Sequence, residues 1–428
     1  MRTAFDALII GAGPAGSTAA ILLALAGWSV ALVEKQRFPR RKVCGECISP
    51  GALSLLAALG IEQQMALRAG PDLRRVALMR GAQQVAADFP EASGNAYRWG
   101  RALGRETLDT VLVEQACKLG VEVLQPYSVR ELVGGPGAWR CAIRGQAESF
   151  TTTLRTSVAI AAHGSWEVLP SDPPQNRRPQ RPGDLLAFKA NFEGASLQAG
   201  LLPVFAFEGG YGGMVAMGDG VTTVAGCLRR DRLEALRRSR GGASAGECFE
   251  AMLRRQCAGV REVLEHASRP ESWIGAGPLS PGIRLRADDG LFRVGNAAGE
   301  AHPIVGEGIS MAVQSAWLLC CELLRARALH GLYAADDVAW QRIAARRYAY
   351  EWRRQFVPRL RLASAFAHAC MHRHSSALLL ALADFWPGLL YEGARWIGKT
   401  GCAIDPAAVA LIMAATSSVR TLRPTAYP

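Results

Sequence analysis

Three glycines near the start of the chain have the type and spacing of a phosphate-binding turn. They lie in GAGPAG at residues 11–16, directly after the apolar run ALII at residues 7–10. The first glycine permits a tight turn, the second lets the backbone approach a pyrophosphate, and the third lets a helix pack closely on the strand. A helix that begins here places its N-terminal amides at the phosphate. The candidate dinucleotide-binding residues are Gly11, Gly13, Ala15 and Gly16.

An acidic residue follows at the distance that such a site requires. Glu34 ends the next apolar run, SVALVE at residues 29–34, and lies 18 residues after Gly16. An acid at this place hydrogen-bonds the adenosine ribose. It favours an unphosphorylated ribose, as in FAD or NAD. We expect Glu34 and the adjacent Lys35 at the adenosine end of the cofactor.

The elements around these residues predict an α/β fold of the Rossmann type. Residues 14–26 are rich in alanine and leucine, and Gly27 ends the predicted helix. A second helix is predicted from Arg105 to Leu119, before the strand VEVL. Between residues 185 and 230 the pattern changes to alternating strands separated by glycine turns, which predicts an antiparallel sheet.

This pattern predicts a discontinuous domain organisation for a chain of 428 residues. The dinucleotide-binding domain is assigned to residues 1–80, 101–165 and 273–330. The inserted antiparallel sheet, which would bind the substrate, takes residues 81–100 and 166–272. A helical C-terminal region follows over residues 331–428.

A second strand and glycine-rich turn lie late in the chain. Residues 291–300 read LFRVGNAAGE and lead into HPIVGEGISMAVQSAWLL at residues 302–319. Together they match the pattern G-D-A-A-G-x-x-x-P-x-x-G-E-G-I-x-x-A in all but the aspartate. Here the sequence resembles the geranylgeranyl reductase branch of the glutathione-reductase-like flavoproteins, which are relatives of the aromatic hydroxylases and flavin-dependent halogenases.

The resemblance implies that FAD is the cofactor. Gly295 and Asn296 would lie near its ribityl chain and pyrophosphate, and Asn296 replaces the family's aspartate while keeping a hydrogen-bonding side chain. Amides at a helix start can stabilise the negative charge of reduced flavin, which makes Gly308 a catalytic candidate. The residues expected along the isoalloxazine ring are Pro303, Gly306, Glu307, Gly308 and Ile309.

Two shorter stretches fit the same family. RKVCG at residues 41–45 resembles the segment that passes near the flavin, and GRETLD at residues 104–109 resembles the stretch whose arginine touches the cofactor. The resemblance therefore implies cofactor contacts for Arg41, Cys44 and Arg105. Where the hydroxylases carry an Asp-Gly pair, this chain has histidine at position 163, which weakens the case for hydroxylase-type use of NADPH.

Cys44 and Cys47 form a C-x-x-C pair that has two interpretations. One is a redox or substrate-contacting thiol pair, and the other is two small side chains beside a loop. Pro50 follows too soon for a thioredoxin-type helix start. Because the resemblance puts Cys44 beside the flavin on the substrate side, it is the second catalytic candidate. No Cys/His set has zinc spacing, so we expect no metal site.

Charge and cysteine usage set expectations for partners and compartment. The net charge is +12 and the cysteines number 11, most of them single in apolar runs, which indicates reduced thiols and a cytoplasmic protein. The basic residues are scattered and form no nucleic-acid motif, so no nucleic-acid partner is expected. No apolar stretch reaches the ~18 residues of a membrane span.

Two segments leave peripheral membrane contact open. The arginine-rich residues 342–361 fit either a solvated helix face or a face that docks on a membrane or substrate. The apolar residues 376–391 fit either a core helix interrupted at Pro387 or a membrane contact. The sequence leaves the oligomeric state open.

The expected function is that of an FAD-dependent oxidoreductase acting on a hydrophobic small molecule, either polyprenyl, polyketide or aromatic. Hydride transfer at flavin N5 is the first hypothesis, with NAD(P)H or another electron donor. The alternatives are a monooxygenase that works through a flavin hydroperoxide, and a membrane-associated FAD electron carrier. A halogenase ranks lower because Trp273 is followed by Ile-Gly-Ala-Gly rather than by a W-x-W-x-I-P stretch.

The purified protein is expected to be yellow, with one FAD per chain. Gly13→Val should abolish FAD binding, because its side chain would occupy the path of the pyrophosphate. The flavin absorbance of the purified variant measures this. A wild-type protein that stays colourless after reconstitution with FAD would contradict the cofactor assignment.

Overall fold

Two seven-stranded β-sheets, two two-stranded β-sheets and eleven α-helices form the regular structure of the described part of the chain. The computed structural model describes residues 2–93, 96–165, 169, 179–286, 288–330 and 338–396. The strands are β1 (Ala4–Ile10), β2 (Val30–Val33), β3 (Cys47–Ile48), β4 (Arg75–Arg80), β5 (Gln83–Asp88), β6 (Arg101–Ala102), β7 (Glu122–Leu124), β8 (Tyr127–Val133), β9 (Trp139–Gly145), β10 (Thr152–Ala161), β11 (Leu185–Glu193), β12 (Leu201–Phe207), β13 (Gly210–Ala216), β14 (Val221–Arg229), β15 (Ile274–Ala276), β16 (Gly282–Ile283), β17 (Phe292–Arg293) and β18 (Gly299–Glu300).

The helices connect and cover these strands. They are α1 (Pro14–Leu25), α2 (Pro50–Leu56), α3 (Glu62–Arg68), α4 (Arg105–Lys118), α5 (Arg230–Ser239), α6 (Ala245–Gln256), α7 (Ala258–Val263), α8 (Gly308–His330), α9 (Ala339–Met371), α10 (Arg373–Phe385) and α11 (Gly388–Trp396). A π-helical turn at Ala57–Ile61 joins α2 to α3.

The first sheet has the Rossmann arrangement that the sequence predicts. Its order is β7-β2-β1-β10-β9-β8, and β17 pairs with β10. The strands β7, β2, β1, β10 and β17 are parallel, and β9 and β8 add an antiparallel edge. The apolar residues of β1 and β2 are buried on both faces, as in a sheet covered by helices. The α/β fold class is confirmed.

The second sheet contains the predicted antiparallel strands and two that were not expected there. Its order is β15-β11-β14-β13-β12-β4-β5, and all pairs are antiparallel except β12 with β4. The helix α6 covers one face, where Phe249 stacks on Phe188 with ring centroids 4.9 Å apart.

Two strands of the second sheet lie in segments that were assigned to the dinucleotide-binding domain. The strand β4 lies within residues 1–80 and β15 within residues 273–330, and both pair within the second sheet. The reason is strand pairing: β4 pairs with β12 and continues the second sheet, and β15 pairs with β11 at its edge. Neither pairing can be read from local periodicity, because the partner strands lie more than 80 residues away in the sequence.

The C-terminal helices span both sheets. Tyr348 and Trp352 of α9 are buried in the core that α1 and α8 share, while α10 packs on the second sheet. Among the described residues, the stretch Gly308–Ala328 of α8 is long and apolar enough to cross a bilayer, contrary to the expectation above. An 18-residue window of it is 89% buried inside the protein, as in a core helix. Residues 397–428 of the predicted helical region lie outside the described residues.

A buried ion pair joins the segment before β3 to the second sheet. Glu46 precedes β3 with a left-handed backbone (φ 60°), and its Oε1 lies 2.5 Å from Lys189 Nζ on β11. The same carboxylate accepts hydrogen bonds from Thr223 Oγ1 on β14 at 2.7 Å and from the Arg105 backbone amide at 2.9 Å. Glu46 is 1% exposed and Lys189 2% exposed. The carboxylate is thus held by residues from the first domain and from the second sheet.

Removal of one partner should destabilise the protein strongly. We expect Lys189→Met to lower the free energy of unfolding by about 3–5 kcal/mol, because it leaves a buried carboxylate unpaired. Adding Glu46→Gln should recover part of that loss. Urea denaturation measures both variants.

The matched control is the exposed pair Arg354–Glu351, with the arginine side chain 62% exposed. Arg354→Met should cost less than about 1 kcal/mol. Equal losses for Arg354→Met and Lys189→Met would mean that burial of the Glu46 pair has no energetic consequence.

Candidate functional site

One cavity of about 330 Å³ is lined by both sheets and by the turns between them. This volume is at the lower end of the range for small-molecule and cofactor sites. The glycine turn after β1 and the turn before α8 contribute to its walls. Strands β11 to β14 of the second sheet contribute the rest. Both glycine-rich stretches found in the sequence therefore meet at one cavity.

The first glycine turn has the shape that its spacing predicts. Gly11 has a left-handed backbone (φ +103°), and a Cβ there would lie 2.5 Å from the carbonyl oxygen of Ala162. A Cβ on Gly16 would lie 1.8 Å from the Gly11 carbonyl oxygen, so α1 packs directly on the turn. Gly13 is the N-cap of α1, and the closest atoms to a Cβ on it are guanidinium nitrogens 3.7 and 3.9 Å away.

Those guanidinium groups belong to Arg105 and Arg40. Arg105 opens α4 and makes two hydrogen bonds to Asp109, at 2.8 and 2.7 Å. Burial lowers the pKa of Arg105, but the ion pair with Asp109 outweighs burial and raises it, so the group stays cationic. Two cations beside an uncovered helix N-terminus form an environment for a diphosphate.

The acid of the second strand lies where the sequence places it. Glu34 is buried and lines the cavity. Its Oε2 accepts a hydrogen bond from the Ala12 amide at 2.9 Å, and its Oε1 accepts from Gln36 N at 3.0 Å and from Arg40 Nη1 at 2.9 Å. The carboxylate is thereby fixed beside the glycine turn.

The second glycine turn is shaped by close packing on α1 and α8. Gly295 has φ +60°, and a Cβ on it would lie 2.9 Å from the Ala15 Cβ. Its amide donates to Ser315 Oγ of α8 at 2.8 Å. The neighbouring Asn296 donates from Nδ2 to Ser165 Oγ at 2.8 Å. Gly308 opens α8, and a Cβ on it would meet no atom within 4 Å, so the backbone there faces open space.

Most of the candidate residues come together at this cavity. Those that line it are Gly11, Gly13, Ala15, Glu34, Lys35, Cys44, Arg105, Gly295, Asn296, Pro303, Gly306, Gly308 and Ile309. Gly16 does not line it, because its role is the packing of α1 on the turn. Arg41, for which a cofactor contact was expected, does not line the cavity either: its side chain pairs with Glu271 at 3.0 Å and donates to the Ser272 carbonyl oxygen at 3.1 Å. Arg40 lines the cavity instead.

The two cysteines of the C-x-x-C pair both line the cavity but differ in their surroundings. Cys44 Sγ accepts a hydrogen bond from the Glu46 amide at 3.3 Å and interacts with the Arg105 guanidinium. Cys47 is buried in β3, and its thiol donates to the Gly45 carbonyl oxygen at 3.4 Å. The ten described cysteines form no disulfide bonds, and Cys402 lies outside the described residues.

The sequence reasoning missed a histidine–tyrosine pair at the same cavity. His302, directly before Pro303, has its Nδ1 3.1 Å from Tyr211 Oη on β13. Burial lowers the pKa of His302 to about 4, with a smaller contribution from His368, so the imidazole is neutral at pH 7. Burial raises the pKa of Tyr211, which keeps its hydroxyl protonated. The one indication of this pair in the sequence was that Tyr211 lies in the glycine-rich stretch FEGGYGGMV.

The residues present fit an FAD molecule. The glycine turn leaves room for a diphosphate, Arg40 and Arg105 supply positive charge, and Glu34 supplies a fixed acceptor for ribose hydroxyls. Pro303–Gly306, Gly308 and Ile309 line the cavity beside the neutral His302, whereas Glu307 lines a second, smaller pocket. The donor set thus matches the successive parts of a flavin dinucleotide.

Comparisons with known proteins agree with this fit. The family model described as an FAD binding domain matches residues 4–198. The menaquinone reductase of Mycolicibacterium smegmatis is 46% identical over 61 residues, which cover 14% of this chain and only 15% of that relative. The digeranylgeranylglycerophospholipid reductase of Methanocaldococcus jannaschii is 24% identical over 361 residues, 82% of this chain and 83% of the relative.

Solved structures of other proteins share this fold. The myxobacterial chondrochloren halogenase superimposes with a TM-score of 0.70 at 20% identity and covers 97% of both chains. The FAD binding domain and these relatives agree with the glycine turns described above. The chain therefore contains an FAD binding domain over residues 4–198, and it is similar to geranylgeranyl reductases, flavin-dependent halogenases and monooxygenases.

Proposed function

We propose that the protein reduces a hydrophobic small molecule by hydride transfer from its flavin, with a polyprenyl chain as the first substrate class to test. The observation that carries this proposal is the continuity of the cavity from the glycine turns to the second sheet. The apolar residues that line its walls there are Ala187, Phe188, Leu202, Val204, Met214, Leu279, Ile304 and Val305.

Two relatives support a lipid substrate. One is named as a reductase of menaquinone and the other as a reductase of digeranylgeranylglycerophospholipid, and both molecules carry isoprenoid chains. An isoprenoid chain is apolar along its whole length, so it matches walls of leucine, valine, isoleucine and phenylalanine. Polyketide and aromatic substrates are the other hydrophobic classes that such walls accept.

The chain's own residues account for the binding and orientation of the cofactor. FAD, when bound, would supply hydride transfer at N5. Arg40, Arg105 and the N-terminus of α1 would bind its diphosphate, and the backbone at Gly308 would orient the ring. The second sheet excludes water from the substrate. NAD(P)H is the electron donor that we propose.

The reaction type is tested by the mass of the product. We expect NADPH-dependent turnover of a geranylgeranyl lipid or a menaquinone without added oxygen, with a gain of two hydrogens per double bond reduced. Mass spectrometry of the product and NADPH absorbance measure this. A product that gains one oxygen would identify a monooxygenase instead, and an enzyme that oxidises NADPH without altering any of these lipids would contradict the substrate class.

The thiol of Cys44 is expected to contribute to turnover. Cys44→Ser should keep FAD but lower turnover at least about tenfold, which is roughly 1.4 kcal/mol of barrier, because the thiol lies on the cavity wall beside Arg105. Cys47→Ser is the matched control and should change turnover much less, since that thiol is already bonded to the Gly45 carbonyl oxygen.

Both variants are measured by flavin absorbance and by steady-state kinetics. Equal losses in the two variants would indicate a working dithiol pair. Full activity in both would remove any catalytic role from Cys44.

A further inference from the structure

An apolar surface covers the outward side of the last two described helices. It consists of exposed side chains on α10, on α11 and at the turn between them, and we call it the apolar face. Phe385 is 91% exposed, the highest value among the exposed large apolar side chains in the described part of the chain. The residues of the apolar face are Leu378, Leu382, Phe385, Trp386, Tyr391 and Trp396.

The helix α10 is apolar on its inner side as well. Leu380 and Ala383 are buried in a cluster with Leu78 and Val85 of the second sheet. On the outer side, Leu378, Leu382 and Phe385 follow at spacings of four and three residues, so they share one face of the helix. A helix that is apolar all round is normally buried on every side. Only the inner side of α10 is covered by the described residues.

We propose that the apolar face docks on the surface of an anionic lipid bilayer. Tryptophan, tyrosine and phenylalanine are the side chains that prefer the boundary between lipid headgroups and acyl chains. Leucines beside them add apolar area that can enter the acyl region. The apolar face combines all four residue types over 19 residues, Leu378 to Trp396.

The charge of the whole chain favours an anionic bilayer over a second copy of this protein as the partner of the apolar face. The charges on the two helices themselves are balanced. Arg373 and Asp384 are exposed on α10, and on α11 the 64% exposed Arg395 pairs with Glu392 at 3.5 Å. The whole chain carries a net charge of +12, so two copies repel each other while an anionic membrane attracts the chain.

The position of the cavity indicates what membrane docking of the apolar face would achieve. This inference rests on the proposed function. The cluster that buries Leu380 and Ala383 also contains Tyr211, Ile304 and Val305, which line the cavity. One buried apolar cluster, to which α9 also contributes Ala363 and Ala367, therefore connects the inner side of α10 with the cavity wall. A substrate taken from the bilayer would reach the cavity along this apolar part of the protein.

The test is a vesicle flotation assay with the full-length protein loaded with FAD. Vesicles of phosphatidylcholine with about one third phosphatidylglycerol are compared with phosphatidylcholine alone. We expect wild type to float with the anionic vesicles and more weakly with the neutral ones. The double variant Leu382→Glu and Phe385→Glu should bind at least tenfold less, because it places two carboxylates at the lipid boundary.

The matched control is Phe150→Glu, because Phe150 is 62% exposed in the turn between β9 and β10, away from α10 and α11. It should float like wild type. Circular dichroism and flavin absorbance should be the same for all three proteins. Because flotation needs no turnover, a failure of the proposed reaction leaves this result standing.

Three outcomes would overturn the proposal. The first is a wild type that does not float with anionic vesicles, which means that something else covers the apolar face. The second is a Phe150→Glu control that loses as much vesicle binding as the double variant, which means that an added negative charge weakens binding wherever it lies. The third is a wild-type dimer in light scattering that the double variant converts to a monomer, which makes the face a contact between copies.

Discussion

The carboxylate of Glu46 is the interaction on which the arrangement of the site depends. It is buried between the two sheets and receives a lysine from β11, a threonine from β14 and a backbone amide from the start of α4. A buried charge is tolerated only when such partners are complete. Because the partners come from both domains, they fix the width of the space between them. Cys44 and Arg105 face the cofactor side of that space. The sulfur of Cys44 accepts a hydrogen bond from the Glu46 amide, and the Arg105 amide donates to the Glu46 carboxylate.

The two ends of the cavity differ in chemistry for reasons that lie in the elements that build them. The end beside α1 is formed by backbone amides, Arg40, Arg105 and Glu34, because parallel strands and their helices bring polar turns to one edge. The end beside the second sheet is formed by the inward side chains of strands β11 to β14, which are apolar because they face the interior. A molecule that binds across both ends is polar at one end and apolar at the other.

The sequence predicted what local spacing determines. The turn at Gly11, the acid at Glu34, the helix from Arg105 and the turn at Gly295 all lie where their patterns place them, because each depends on neighbours within a few residues. Prediction from the sequence failed where the position of a side chain or the pairing of a strand depends on residues far along the chain. Arg41 and Arg40 are equivalent in sequence, and only the position of Glu271 draws Arg41 away. Likewise, the pairing of β4 and of the Lys189 ammonium depends on strands far along the chain.

The place of β17 in the first sheet has a consequence for how the protein is made. Residues 160 and 161 of β10 pair with residues 292 and 293 of β17, so the first sheet closes only after the whole second sheet has been synthesised. Loop closure over that distance delays folding relative to chains rich in local contacts. The face of α1 that packs on α8 also stays uncovered until residues 308–330 have been synthesised, so nascent-chain chaperones and the supply of flavin act on the same interval of synthesis.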